Sequence, residues 1–328
     1  MRCLYVTNGW GIHDDRWFAA LEGQGFSPVA LRLGIDAASP ADLVQAVESA
    51  APADTPILAG PLNSVTAHLV DLPNPIVGLS WGFDLHQMDN PTWLSRLSGI
   101  IVDSEPTAAI AREAGVDPDR ITFIPWGVDL KAFQPNGPKQ DLQAWGVPAD
   151  ARVLLTLRAH EPQYRVPDVI RAMPRILVDT PNAFMLLGNK GSQTAELEQL
   201  VSDLQLTEHI SFIPLIAEAD LPQLLRAADV YISASEVDGT SVTLLQAMAC
   251  GIPVVVSDIP GNRPWVEQGV SGQLFPLGGP EKLADAVRYA LVQGPTLTQE
   301  ARERVQRRAN WSHNQEHLGA AMRAAAAH

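Results

Sequence analysis

Short runs rich in β-branched residues alternate with longer segments of helical periodicity almost from one end of the chain to the other, and nothing else restricts the fold as much. A strand, a helical crossover and a further strand form the unit of a parallel sheet, so the expected class is α/β. In the first half the runs Leu4 to Thr7, Val29 to Arg32, Ile57 to Ala59, Ile76 to Leu79, Ile100 to Asp103 and Ile121 to Ile124 are expected as strands. Helical stretches there include Pro40 to Ala50 and Ser104 to Ala114, the second opening on a capping hydroxyl with Pro106 in its first turn. The second half repeats the alternation. Strands are expected at Val153 to Leu157, Ala183 to Leu187, Ile210 to Ile213, Val230 to Ser233 and Pro253 to Ser257. Helices are expected at Pro167 to Val178, Ala195 to Asp203, Leu221 to Ala227, Ser241 to Ala249 and Glu281 to Leu291, then at Thr298 to Ala309 and Asn314 to Ala325.

Between the halves, Lys131 to Asp150 loses periodicity and collects Pro135, Asn136, Gly137, Pro138 and Pro148, which places a domain boundary there. A length of 328 residues with 46% hydrophobic side chains suits two doubly wound domains, each able to bury a core. In open sheets of this kind ligands sit beyond the carboxyl ends of the strands, so the loops after the strands are where chemistry is sought.

The formal net charge is -14, with 23 Lys+Arg against 37 Asp+Glu, and no basic run opposes it, which argues against nucleic acid as a partner. Lysine occurs only at Lys131, Lys139, Lys190 and Lys282, so any anionic ligand must be held mainly by arginine, backbone amides or helix ends. Cys3 and Cys250 show no framework of spacings and are expected as small buried residues. The apolar run after Met1 is too short for a secretory segment and no stretch reaches the ~18 apolar residues of a membrane span, so a cytoplasmic location is expected. His160-Glu161 lacks the second histidine of a zinc site, and no metal is expected.

The densest cluster runs from Asp229 to Asp258 and reads as strand, polar loop, helix, Gly-Pro turn, strand. Gly239 admits a ligand close to the backbone, Thr240 or Ser241 caps the helix, and the amides of Thr240, Ser241 and Val242 at the helix start form an anion site. Asp238 and Gln246 lie about two helical turns apart and would bracket a ligand there. Spacing alone leaves open that Asp238 is a turn residue and Gln246 an exposed helix residue.

Gln246-Ala247-Met248-Ala249-Cys250-Gly251-Ile252-Pro253-Val254-Val255 resembles the signature of family-4 retaining glycosyltransferases of the GT-B fold, with glutamine where the family has glutamate and Asp238 in place of its first acid. Leu157-Arg158 with Tyr164 is similar to the family's arginine-centred phosphate motif, and Leu187-Gly188-Asn189-Lys190-Gly191 to its glycine loop. Ile124-Pro125-Trp126-Gly127-Val128-Asp129 with Phe133 resembles its linker entry, and Val270-Ser271-Gly272-Gln273-Leu274 its late glycine turn. The resemblance implies two Rossmann-like domains facing each other across a cleft. They comprise residues 1–137, joined by a C-terminal helix over 312–328, and a donor domain over 138–311. It further implies transfer of a sugar from a nucleotide-diphosphate sugar to an acceptor hydroxyl, with retention, without a metal or cofactor, the leaving diphosphate taking the acceptor proton.

Under that resemblance Arg158 is the donor to the diphosphate, because a guanidinium forks onto two oxygens, and Asp238 contacts sugar hydroxyls or orients the amide loop. Arg165 replaces a family lysine or is a solvated helix-start charge; Lys190 is a further phosphate contact or a loop charge, and Arg263 is read as a surface residue. Gln246 binds ribose with one acceptor and one donor. The base rests on the edge strand around Ile213. On the first domain Gly9 and Gly11 face the diphosphate, His13 touches the acceptor or is a loop histidine, Trp81 stacks on a sugar or packs in the core, and Asp84 accepts from hydroxyls. Rival readings are a GT-B sugar-nucleotide epimerase or hydrolase, and a non-catalytic nucleotide-sugar binder. The helical stretches Pro40 to Ala50 and Val65 to Leu72 carry Asp42, Glu48 and Asp71 but no Lys or Arg, so a soluble acceptor is expected rather than a lipid.

Overall fold

A computed structural model describes residues 1–89 and 91–327. The chain divides into two compact units, Met1–Trp126 with the segment from Trp311 onward, and Gly127–Asn310. His328, the last residue of the C-terminal helix as expected from sequence, lies outside the described residues.

The first unit is a six-stranded parallel sheet in the order β2-β1-β3-β4-β5-β6. Its strands are β1 (Arg2–Thr7), β2 (Ser27–Arg32), β3 (Ile57–Ala59), β4 (Ile76–Leu79), β5 (Gly99–Val102) and β6 (Ile121–Phe123). Its crossovers carry α1 (Ile12–Gly23), α2 (Pro40–Ala50), α3 (Ser64–Ala67), α4 (Phe83–His86) and α5 (Glu105–Glu113). The capping residues act as their chemistry requires: Ser39 Oγ accepts from the amide of Asp42 at the start of α2, and Ser104 Oγ from that of Thr107 at the start of α5. Between Val65 and Leu72 only one turn is helical, α3, although Leu69 is buried. The strand order reverses between β1 and β3, which puts the switch point of this sheet at the loops that follow them.

The second unit is also a six-stranded parallel sheet, ordered β12-β11-β10-β7-β8-β9. It contains β7 (Arg152–Thr156), β8 (Ala183–Gly188), β9 (Ile210–Ile213), β10 (Val230–Ser233), β11 (Val254–Ser257) and β12 (Gln273–Phe275). The helices are α6 (Val166–Asp179), α7 (Thr194–Asp203), α8 (Leu221–Ala227), α9 (Val242–Ala249) and α10 (Pro280–Arg308), and α11 (Trp311–Ala325) belongs to the first unit. Its switch point falls between β7 and β10. The segment Val270 to Leu274, expected only as a turn, leads into β12, which closes one edge of the sheet.

Alternate residues of β7 face two different apolar layers. Val153 and Leu155 join α9, Phe133 and Trp265, while Leu154 joins α6 and α7. Helix α10 contributes to both layers, Leu283 and Val287 to the second and Ala301 and Val305 to the first. That explains a departure from the sequence reading, which placed separate helices at Glu281 to Leu291 and Thr298 to Ala309. One 29-residue helix passes from one face of the sheet to the other, and Gly294 sits where a side chain would strike the ring of Pro253.

The boundary also differs. The chain enters the second unit at Gly127 rather than at residue 138. Phe133 is buried in its core, the amide of Val128 bonds the carbonyl of Ala309 at 2.7 Å, and Arg226 donates to the carbonyls of Gln134 and Pro138. Loss of periodicity there marks an irregular layer packed on the sheet, and irregular backbone is not the same as a loose linker. Among the described residues no helix is long and apolar enough to cross a membrane. Cys3 and Cys250 are buried free thiols.

Candidate active site

The switch point of the second sheet gathers the residues that the sequence singled out there. Arg158 follows β7 and Asp238 follows β10, and these two strands are neighbours. Arg158 is buried, with Nη1 donating to Ser241 Oγ at 2.9 Å and Nη2 2.7 Å from Asp238 Oδ2. The Tyr164 ring lies against the guanidinium, 4.1 Å from Cζ to the centroid. Arg158 is thereby held on two edges and one face. Its Nε makes no hydrogen bond to protein, and Asp238 Oδ2 receives no aligned one despite the short contact.

Burial alone would lower the Arg158 pKa, but the Asp238 carboxylate and the nearby phenols outweigh it, and the guanidinium ends above its ordinary value. Burial pushes the Asp238 carboxyl up, with Arg158 opposing. Beneath them Tyr231, fully buried on β10, has a phenol pushed up to about 12 by burial, with Arg158 pulling the other way. Tyr231 was missed from sequence; the signal was a lone polar tip in the apolar run Val230 to Ser233.

Ser241 caps α9, accepting from the amide of Leu244 as well as from Arg158. One hydroxyl therefore both starts the helix and fixes the arginine. The loop before it, Ser235 to Thr240, is braced from two sides. The amide of Glu236 bonds the carbonyl of Gln163, and Ser257 Oγ donates to the carbonyl of Ser235. Gly261 packs against the same loop: a β-carbon there would overlap the carbonyl oxygen of Asp238 and lie 2.5 Å from that of Gly239. Gly239, Thr240 and Ser241 are buried in this arrangement, with Val242 opening the helix. Gln246 is buried too, at 4% exposure, which removes the reading of an exposed helix residue.

The glycine loop after β8 is clamped to the loop after β7. Glu161 accepts from the amide of Ser192 at 2.8 Å and from its hydroxyl, His160 donates its amide to the carbonyl of Lys190, and a β-carbon at Gly191 would lie 2.6 Å from the carbonyl oxygen of His160. Lys190 is exposed there, beside the Arg158 loop in the chain's path. Arg165 has positive φ and pairs with Asp168 at 2.8 Å and Glu236 at 3.3 Å. It is not a solvated helix-start charge; its guanidinium ties α6 to the loop preceding Asp238. Ile213 ends edge strand β9, buried opposite Gly188. Arg263 is an exposed residue paired with Asp258.

On the first unit, Gly9 and Gly11 form the loop after β1 at that sheet's own switch point, with Gly11 capping α1. His13 packs between Trp81 and Trp126, at ring distances of 5.4 and 4.6 Å. Burial lowers the His13 pKa, with Arg16 adding to the effect and Asp14 opposing it. Trp81 is half-buried, and its indole Nε1 makes no hydrogen bond among the described residues. Asp84 does not fit the role expected of it. Its oxygens accept from Ser80 Oγ and from the amides of Leu62, Trp81 and Leu85, which uses the four acceptor sites of a carboxylate on the protein itself.

Residues 139–311 match the family described as Glycosyl transferases group 1. The chain belongs to that family. Among its relatives is a D-inositol 3-phosphate glycosyltransferase of Geodermatophilus obscurus, 33% identical over 198 residues that cover 57% of this chain and 44% of the relative. Another, of the same description, is from Kineococcus radiotolerans and is 34% identical over 196 residues, 54% of this chain and 45% of the relative. The chain thus spans less than half the length of the curated relatives it matches. Solved GT-B structures match throughout. Anabaena HepE in complex with UDP-glucose aligns with a TM-score of 0.80 at 20% identity, and sucrose-phosphate synthase from Thermosynechococcus elongatus with 0.81 at 19%, each over 98% of both chains. The matched segment contains the loops after β7 and β10, the switch point at which open sheets of this order form a crevice.

Proposed function

We propose that the protein is a retaining glycosyltransferase that moves a sugar from a nucleotide-diphosphate sugar to an acceptor hydroxyl without a metal ion. The observation that carries this is Arg158, buried at a switch point and held by Ser241, Asp238 and Tyr164 at the start of α9. A structural neighbour bound to UDP-glucose supports a donor of this class.

In the proposed reaction the acceptor oxygen forms a bond to the anomeric carbon on the face from which the diphosphate leaves. The bond from that carbon to the diphosphate oxygen breaks, and the departing diphosphate takes the acceptor proton. Negative charge grows on the diphosphate as this happens, so the largest lever is a fixed cation and fixed amides at that position. Arg158 supplies the cation, α9 the amides and the positive end of its dipole. Asp238 holds the guanidinium in place and Gln246 binds ribose. Lys190 is the remaining charge near the donor phosphates, while Arg165 acts by bracing the loop. On the first unit, the His13 and Trp81 rings and the Gly9 to Gly11 loop are the acceptor-side candidates, and Asp84 acts as a brace.

The test is turnover of a panel of nucleotide-diphosphate sugars in EDTA with NMR of the product's anomeric configuration. Arg158→Ala is expected to lower kcat by about 10²- to 10³-fold, the range for loss of one preorganised donor, whereas Arg175→Ala, on an exposed helix pair, leaves it unchanged. Inverted product, or activity abolished by EDTA and restored by a divalent cation, would overturn the mechanism. Release of free sugar without glycoside would favour the hydrolase or epimerase reading instead.

A further inference from the structure

We propose that the second unit holds a binding site for a small phosphate-bearing molecule at the amino-terminal edge of its sheet, the end opposite Arg158. A cavity of about 410 Å³ lies there, lined among others by Lys139, Arg152, Arg226, Asp229, Cys250 and Thr298. Three cations face it against one carboxylate. That carboxylate pairs with one of them: Asp229 Oδ2 accepts from the amide of Val153 at 2.7 Å and its Oδ1 lies 3.3 Å from Arg152, which also donates to the carbonyl of Leu291, so Lys139 and Arg226 are the cations in excess.

Arg226 carries the argument further. It is 7% exposed, donates to two backbone carbonyls, and has no carboxylate within ion-pair reach among the described residues. A buried charge is ordinarily paired, since carbonyl dipoles return only part of the lost hydration. Arg302, half-buried next door, also donates to a backbone carbonyl, that of Ala249, with no acidic partner among the described residues. Both guanidiniums act on the Cys250 thiol, where they oppose the rise to about 11 that burial imposes.

In a chain with 37 acidic and 23 basic residues, an excess of cations around one cavity is not what composition alone provides. Ile252, Pro253 and Leu291 add apolar wall beside these cations. The cavity volume suits a ligand of sugar-phosphate size. Lys139 is exposed at the mouth, and Thr298, whose hydroxyl donates to the carbonyl of Pro295, lines the α10 side.

Thermal shift and calorimetry with inorganic phosphate and glucose 6-phosphate, against potassium chloride at matched ionic strength, test the site. Arg158→Ala separates it from the donor site, and Lys139→Glu and Thr298→Glu place a carboxylate at the cavity without touching the buried Arg226. Stabilisation by either phosphate is expected in the wild type and in Arg158→Ala, weakened about tenfold or more in both glutamate variants. The glutamate variants are expected to melt as the wild type does without phosphate. No shift beyond chloride, a shift that survives both glutamates, or one that disappears with Arg158 would overturn the proposal.

Discussion

At the scale of single residues, burial decides what each polar group can do. His160 was set aside in the sequence as half of an incomplete zinc pair, yet it is fully buried, with Nδ1 3.0 Å from Thr194 Oγ1 and its ring edge-on to Phe212. Burial lowers its pKa below the ordinary imidazole value of about 6.5. The sign follows directly. The unfolded chain takes up the proton first as pH falls through that value, so the contribution to stability is complete above it and is lost on further acidification. His13 carries the same sign. The melting temperature of the wild type is therefore expected to fall between pH 7 and pH 5, and His160→Asn to flatten that fall. An equal slope in the variant would show that His160 is not among the groups responsible.

At the scale of elements, the site is two strand ends and a helix start locked together by loops, and legibility divides along that line. Ser241 could be read because a strand end followed by a capped helix is a local pattern, whereas Arg158 and Asp238 were singled out by their resemblance to a family motif, spacing alone having left Asp238 open. Tyr231 and the Glu161 to Ser192 clamp could not be placed, because each depends on which strands lie side by side. Asp84 was misjudged for the same reason: three of its four donors are near in sequence, but the amide of Leu62 comes from the loop after a neighbouring strand. Gly294-Pro295 lies between the two helices expected from sequence and is unfavourable in a helix by propensity, yet packing on Pro253 favours a residue without a side chain there and α10 runs through. Gly261 tests how tightly the loop must fit. Gly261→Ala is expected to cost about 1–3 kcal/mol from overpacking and to weaken nucleotide binding measured by calorimetry. Unchanged affinity would mean that the Asp238 loop can shift without affecting the ligand.

At the scale of the whole molecule, the alternation of strands and helices was enough to read two doubly wound units, whereas their border required contacts. Phe133 and the Val128 to Ala309 hydrogen bond assign residues 127–137 to the second unit. A fragment spanning Gly127–Asn310 is accordingly expected to fold and bind nucleotide. One beginning at residue 138 forfeits the buried Phe133 side chain, a loss in the range of about 3–5 kcal/mol, and is expected to melt at a much lower temperature. Equal melting of the two fragments in circular dichroism would return the border to the proline-rich stretch.

The pairing of Val128 with Ala309, and its bridge to Asn310, has a consequence for how such a chain can diversify. The second unit leaves and re-enters the polypeptide at two points that touch, so its outline is closed by a single rung of backbone. The corresponding unit from a relative, cut at the equivalent rung, is expected to graft between Trp126 and Trp311 without spanning a gap. One contiguous stretch of gene thus carries the whole second unit, and its exchange leaves the sheet and ring cluster of the first unit as they were.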